Sequence, residues 1–349
     1  MASRRWSAGA IVALLAAFAV SCAGIIGIED TTDESADASM PTGEGGAPLD
    51  GPGPSDDDTG TGTDSGSDAA GSDGESDAGV DAKPPDCDLS KPFGTVTAIA
   101  GTGINTSSYE TGGRLSNDGL TLYFTRASST AQIFKATRAQ PSGPFSNAAG
   151  MGDINSGSAD GYLTMPITET TAYFASNRST SQLLDIWRMT RAMPTGAFSG
   201  ATRLTVLASS SDDDDPFVRA DGRAIYFDSK RSGMTDIYRA DIDANGTVGS
   251  PSLVPNVSTT GAIESNPVVT ADELTIYFAY GPNGSQRIRK GTRASTSASF
   301  TNIGVVGELN SASDDRPTWI SPDGCKIILS SERANGQGSS DLYYAEKPK

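Results

Sequence analysis

After residue 100 the chain repeats one rhythm of apolar and polar positions five times. An apolar pair recurs as Tyr123-Phe124, Tyr173-Phe174, Tyr226-Phe227, Tyr277-Phe278 and Ile328-Leu329, at spacings of 50, 53, 51 and 51 residues. Five residues before each pair lies a turn position: Asp118-Gly119, Thr168-Glu169, Asp221-Gly222, Asp272-Glu273 and Asp323-Gly324. A polar loop then leads to a third apolar run (QIFKATRA, DIWRMTRA, DIYRADI, RIRKGTRA, DLYYAEK). A fourth segment opens at Pro144-Phe145, Ala197-Phe198, Thr247-Val248 and Ser299-Phe300. Short runs rich in Tyr, Phe, Ile, Val and Thr between tight turns predict strands. No window after Asp88 keeps apolar residues at i, i+3, i+4 and i+7, so helices are excluded.

Four strands per unit of about 51 residues make a propeller blade. A single blade cannot bury both of its faces, so the units must stack around a channel. Pro92-Phe93-Gly94-Thr95 matches the fourth-strand motif yet precedes the first full unit, while the last unit, ending at Tyr343-Tyr344, lacks a fourth strand. A ring solves both problems, because an N-terminal strand completes the last blade and removes the open edges. The expected fold is all-β, a five-bladed propeller over 88–349. The Tyr-Phe pairs are expected to be core between blades, with one residue on each sheet face.

Two of the three cysteines fit this closure. Cys87 stands just ahead of the borrowed strand and Cys325 opens the second strand of the last blade. Strands two and four of a blade start at the same edge, about 10 Å apart. A Cys87–Cys325 disulfide is therefore expected, the alternative being two unpaired thiols.

The third, Cys22, ends an N-terminal segment with Arg4 and Arg5 and an apolar run from Ala8 to Val20, too short to span a bilayer comfortably. Phe18-Ala19-Val20-Ser21-Cys22 resembles a bacterial lipoprotein signal, which implies removal of 1–21 and acylation of Cys22; Ala19 departs from the usual Leu. By the same resemblance, Ala23 after the Cys favours outer-membrane sorting. Several acyl chains on one Cys suffice for stable anchoring. The formal charge of −17 is concentrated in a tether over 22–87: 17 acids face only Lys83 from Glu29 to Asp86, whereas 26 acids face 23 bases from Asp88 onward. Such an Asp/Gly/Ser/Thr/Pro segment buries too little to fold and acts as a spacer with a reach of roughly 45 Å. The domain has no clustered basic surface, so nucleic acid is not a partner. The absence of His removes His-based triads and the usual zinc ligands.

Asp315-Arg316-Pro317-Thr318-Trp319-Ile320-Ser321-Pro322-Asp323-Gly324, and Asp215-Pro216 through Asp221-Gly222, resemble the WD-like repeat of periplasmic TolB-type propellers. The likeness runs over 88–349 and implies a propeller in the cell envelope. TolB propellers have six blades and an extra N-terminal domain, so a role in the Tol system does not follow.

Alignment on the prolines of the inner strand places an acid three residues earlier in every unit: Glu110, Asp160, Asp213, Glu264 and Asp314. These are expected near one mouth of the channel. Either each holds its own loop by accepting backbone N–H bonds, or together they form a binding site for a cation, a basic peptide or a glycan. Asp212, Asp214 and Asp215 add carboxylates beside Asp213, and Asp315 gives the fifth unit a second acid; Ca²⁺ is a weak candidate there, since hard cations take six to eight oxygens and no calcium-loop pattern occurs. Arg126, Arg178, Arg231 and Arg333 are expected to fix loops by pairing with carboxylates such as Asp185, Asp236 and Asp341. The expected function is a monomeric, non-catalytic binding or scaffold module reaching an envelope protein, peptide or glycan. The alternative is a polysaccharide-active hydrolase using two mouth carboxylates. Against it, the inner strands carry Trp319 alone, where sugar-binding sites usually cluster several Trp.

Overall fold

In every unit the alternating runs form strands. A computed structural model describes residues 85–349. The signal segment, Cys22 and all but the end of the tether lie outside the described residues. A short N-terminal strand, β1 (Thr97–Ala98), precedes the first blade of β2 (Tyr109–Leu115), β3 (Thr121–Ala127), β4 (Ala131–Thr137) and β5 (Ser146–Gly150). The second blade is β6 (Asp160–Thr164), β7 (Thr171–Ser176), β8 (Asp185–Thr190) and β9 (Ser199–Arg203); the third is β10 (Asp213–Val218), β11 (Ala224–Ser229), β12 (Asp236–Asp241) and β13 (Ser252–Leu253). The fourth is β14 (Glu264–Val269), β15 (Thr275–Tyr280), β16 (Arg287–Thr292) and β17 (Thr301–Val305), and the fifth begins β18 (Asp315–Ile320), β19 (Lys326–Ser331), β20 (Asp341–Glu346). The last sheet has the order β1-β20-β19-β18, so the N-terminal strand completes it and the ring of five antiparallel sheets is closed. Among the described residues no helix is long and apolar enough to cross a membrane.

The apolar pairs lie in the second strands and are buried on both sheet faces, Tyr226 and Phe227 fully. They pack between neighbouring blades: Tyr123 of the first blade joins Leu163, Met165 and Phe174 of the second in one cluster. Burying each such side chain stabilises the ring by roughly 1.5–3 kcal/mol, which a lone blade forgoes.

Closure is built from several contacts around β1. Thr97 pairs with Tyr344 and Ala98 with Tyr343. The Gly94 N–H donates to the Glu346 carbonyl at 2.7 Å, and that of Ile99 donates to the Leu342 carbonyl at 2.9 Å. Phe93 is buried, with its ring edge-on to Tyr277 at 5.9 Å. The Cys87–Cys325 disulfide is present, with Cα atoms 5.7 Å apart.

Candidate functional site

The repeated acids are loop fasteners. Glu110, Asp160, Asp213, Glu264 and Asp315 open the inner strands and are all 0 % exposed. In four blades the carboxylate accepts the backbone N–H four residues earlier: Thr106 at 3.0 Å, Ser156 at 2.7 Å, Ser209 at 2.7 Å and Ser311 at 2.5 Å. An arginine from the end of the second strand (Arg126) or from the loop after it lies on the other oxygen. The distances are 2.7 Å for Arg126–Glu110, 2.6 Å for Arg178–Asp160, 2.6 Å for Arg231–Asp213 and 2.7 Å for Arg333–Asp315. Each guanidinium also lies over an aromatic ring of the third strand: Phe134, Trp187, Tyr238 or Tyr343. One carboxylate thus joins the loop, the arginine and the sheet, and presents no free oxygen to a ligand.

Three sequence expectations are corrected here. The fifth member of the set is Asp315, since Pro317 stands one place earlier in its strand than Pro216 and Pro267 do, and alignment on proline therefore slips to Asp314. Asp314 instead accepts the N–H groups of Gly284 and Gln286 and pairs with Arg316. The loop arginines bind the ring acids and leave Asp185, Asp236 and Asp341 to other partners: Arg203 at 2.7 Å, the Ser232 hydroxyl and the Gln337 N–H. The Asp212–Asp215 run does not converge. Asp212 turns to Lys230 at 3.0 Å, Asp213 is buried, Asp214 accepts the Asp215 N–H at 2.8 Å, and Asp215 lines the channel. Among the described residues no three His, Cys, Asp or Glu side chains are placed to hold a metal ion.

Blade four breaks the pattern. Pro282 occupies the place of the arginine, and Arg289 occupies the third-strand aromatic place. Arg289 lies 3.4 Å from the centre of the Tyr280 ring, so cation and ring have exchanged strands. Glu264 keeps a hydroxyl bond from Thr259 at 2.6 Å, but its buried Oε2 has no donor, and burial raises its pKa.

The residues that do face the channel follow the ring acids. Every inner strand loses register with its neighbour just after its first residues: at Thr111/Arg114, Gly161/Thr164, Asp214/Phe217, Ser265/Val268 and Pro317/Trp319. Such bulges re-aim side chains. Gly112, Tyr162, Asp215 and Asn266 take φ of 58°, 54°, 48° and 52° there. This conformation is costly for a residue as bulky as tyrosine. Together with Pro317 they line a waist with a free volume of ≈ 20 Å³, about enough for one water.

Around this waist the charge is unbalanced. Asp228, on β11, is 5 % exposed and stands where the other blades have Thr125, Ala175, Ala279 and Ser330. Its Oδ2 accepts the Asn266 N–H at 3.2 Å, as the Thr125 hydroxyl accepts the Tyr162 N–H at 2.8 Å. The Asp215 and Asp228 carboxyls are within hydrogen-bonding reach of each other, so one of them must carry a proton. Burial, and then the charge of Asp228, pushes Asp214 up to about 8 and Asp215 well above the carboxylate range; burial raises Asp228 too. Besides Lys230, which Asp212 holds, Arg316 is a cation facing them. It is committed to Asp314, the Tyr109 hydroxyl and the Gln286 amide oxygen. The mouth therefore offers acceptors in excess of donors. Its one sequence signal was the surplus of Asp214 and Asp215 over the repeat; Asp228, Tyr109, Tyr162 and Gln286 were missed.

A larger groove of ≈ 510 Å³ lies between blades three and four. Its Arg219 and Arg239 are matched by Asp221, Asp241 and the buried Glu273, so it carries no comparable surplus.

No protein-family model and no curated protein matches this chain. Solved structures do. TolB from Acinetobacter baumannii is 16% identical over 69% of this chain and 55% of its own, with a TM-score of 0.43. This chain thus spans about half the length of that protein. The putative TolB from Agrobacterium tumefaciens is 17% identical, covering 72% and 78% of the two chains, at 0.45. Zg3597, a family 117 glycoside hydrolase from the marine bacterium Zobellia galactanivorans, is 10% identical, covering 73% and 90%, at 0.50. Likeness at these identities is one of fold, and a fold does not fix a function.

Proposed function

We propose that this chain is a lipid-anchored, extracytoplasmic propeller acting as a non-catalytic binding module, with the acidic mouth of its channel as the ligand site. The observation that carries this reading is the Asp215–Asp228 contact. Carboxyls that share a hydrogen bond do not leave the roughly 5–9.5 Å that glycosidase pairs require, and the waist has no room for a sugar ring. Instead they hold negative charge and hydrogen-bond acceptors against a narrow, fixed space, which suits recognition.

In this reading residues 1–21 are a signal peptide, Cys22 carries the lipid, 22–87 is a spacer, and 88–349 is the monomeric binding domain at the outer membrane. The partner is an envelope protein, peptide or glycan. Palmitate labelling that disappears in Cys22→Ala tests the anchor. A glycan and peptide screen of the full chain, repeated with Asp215→Asn, tests the site. Ligands lost with that substitution support the reading, and retention of every ligand contradicts it.

A further inference from the structure

The waist of the channel combines three features that point to one ligand chemistry. Its size is that of a single water, ≈ 20 Å³. Asp215 lines it, and the buried Asp215 Oδ1 receives no N–H or hydroxyl from the described residues. Asp228, almost fully buried, accepts the Asn266 N–H at 3.2 Å and shares a hydrogen bond with the Asp215 carboxyl. Two carboxyls packed together keep one proton between them, so the pair has a place for one positive charge that no side chain fills. Lys230 is held by Asp212 at 3.0 Å, Arg231 by Asp213 at 2.6 Å, and Arg316 by Asp314.

A metal ion fits this place badly, because hard cations want six to eight oxygens and no third carboxylate converges. An ammonium head fits well. It is water-sized, carries three N–H donors, and meets Asp215, which is hydrogen-bonded to Asp228, beside the polar side chains of Tyr162 and Asn266. Pro216, Pro267 and Pro317 line the same space with apolar rings, a suitable contact for the methylenes next to the nitrogen.

We propose that the channel mouth binds a primary ammonium group, borne by a lysine side chain or a small amine, in exchange for the proton shared by Asp215 and Asp228. The ammonium arrives with its charge, the proton leaves to solvent, and the total charge of the site is unchanged. The groups whose charge acts on the pair or on the adjoining Asp214 are Asp212, Asp213 and Lys230 of the third blade, Tyr162 of the second, Tyr109 of the first, and Arg316 of the fifth, itself paired with Asp314. Asp214 is raised into the neutral range, at about 8, by burial and then by Asp228, so affinity for the ammonium rises with pH as it ionises. The inference rests on the binding-module reading and narrows its ligand.

The test is titration calorimetry of the full chain with n-butylamine, Nα-acetyl-lysine amide, butyltrimethylammonium and calcium chloride. Each titration is run near pH 7 in buffers of different ionisation enthalpy. The key variant is Asp228→Thr. Threonine stands at this strand position in blade one and accepts the same backbone N–H there, so the blade keeps its bond and loses only the carboxyl; thermal unfolding checks that it folds. The inference predicts binding of one or both primary amines with release of about one proton, weakened at least about tenfold in Asp228→Thr and Asp215→Asn, as expected on losing a charge-assisted hydrogen bond. Binding of the lysine amide alone identifies a peptide source. The inference is overturned by binding that ignores both variants, by no heat from either amine at about 10 mM, a Kd beyond the millimolar range, by equal binding of the trimethyl analogue, or by calcium binding in place of the amines. A screened ligand that is indifferent to Asp228→Thr but lost in Asp215→Asn sinks the ammonium inference and leaves the module reading standing.

Discussion

Arg231 Nη2 lies 2.6 Å from Asp213 Oδ1, while the adjoining Asp212 meets Lys230 at 3.0 Å on the surface. The two neighbours in one acidic run therefore have different energetic roles. Asp213→Ala strands a partly buried arginine and releases the Ser209 N–H, and is expected to lower stability by about 3–5 kcal/mol. Asp212→Ala removes a half-exposed pair and the acceptor of the Leu184 N–H at 3.1 Å, and is expected to cost about 1–2 kcal/mol. Urea unfolding midpoints of the two variants measure the difference.

Glu264 predicts the opposite response. Among the described residues no arginine forms an ion pair with it, its Oε2 lacks a donor, and burial raises its pKa. Glu264→Gln removes a buried charge while keeping an acceptor for the Thr259 hydroxyl. It is expected to be neutral or to raise stability by about 1 kcal/mol at neutral pH, whereas Asp160→Asn should lower stability because Arg178 loses its ion pair. A comparison of the two unfolding curves tests this.

Ring closure depends on a two-residue strand, Phe93 and the Cys87–Cys325 bond. The bond closes a loop of 238 residues, so Cys87→Ser with Cys325→Ser is expected to cost about 2–5 kcal/mol. Phe93→Ala should cost about 3–5 kcal/mol. In a domain of this size each kcal/mol lowers the melting temperature by about 2–4 °C. Calorimetric scans with and without reductant read both effects.

Stability should fall as pH rises through neutrality. Asp214, Asp215 and Asp228 are all raised in the folded chain. The folded state therefore binds more protons than the unfolded state between about pH 4 and the raised values, and the protons leave as pH increases. Glu273, whose burial is outweighed by hydrogen bonds from Arg239 and Tyr226, is held lower than an ordinary glutamate and contributes the opposite slope, on the acid side. Melting temperatures at about pH 5 and about pH 8.5 should differ in wild type and draw together in Asp214→Asn and Asp228→Thr.

The architecture was legible because it is repeated. Five Tyr-Phe or Ile-Leu pairs, the turns ahead of them and a lone fourth-strand motif at Phe93 fixed blade number, closure and the disulfide. The site was less legible because it depends on departures from the repeat. Aligning prolines chose Asp314 over Asp315, since a bulge can move one residue without changing composition. The arginines were given the wrong carboxylates because a partner 16 to 18 positions away across a hairpin is closer in space than one 5 to 8 positions away at the start of the next strand. Asp228 was hidden inside a strand that otherwise reads as core, and only its position opposite the β10 bulge gives it a role. Comparing Asp228 with Thr125, Ala175, Ala279 and Ser330 would have marked it as the odd member.

In the proposed function the channel mouth captures a ligand without transforming it. The most direct measurement is mass spectrometry of a ligand from the glycan and peptide screen, recovered after prolonged incubation with the full chain, in parallel with Asp215→Asn. The proposed function requires capture by wild type, loss of capture in the variant, and recovery of the ligand at its original mass. Recovery of a shortened glycan that Asp215→Asn leaves intact would contradict it.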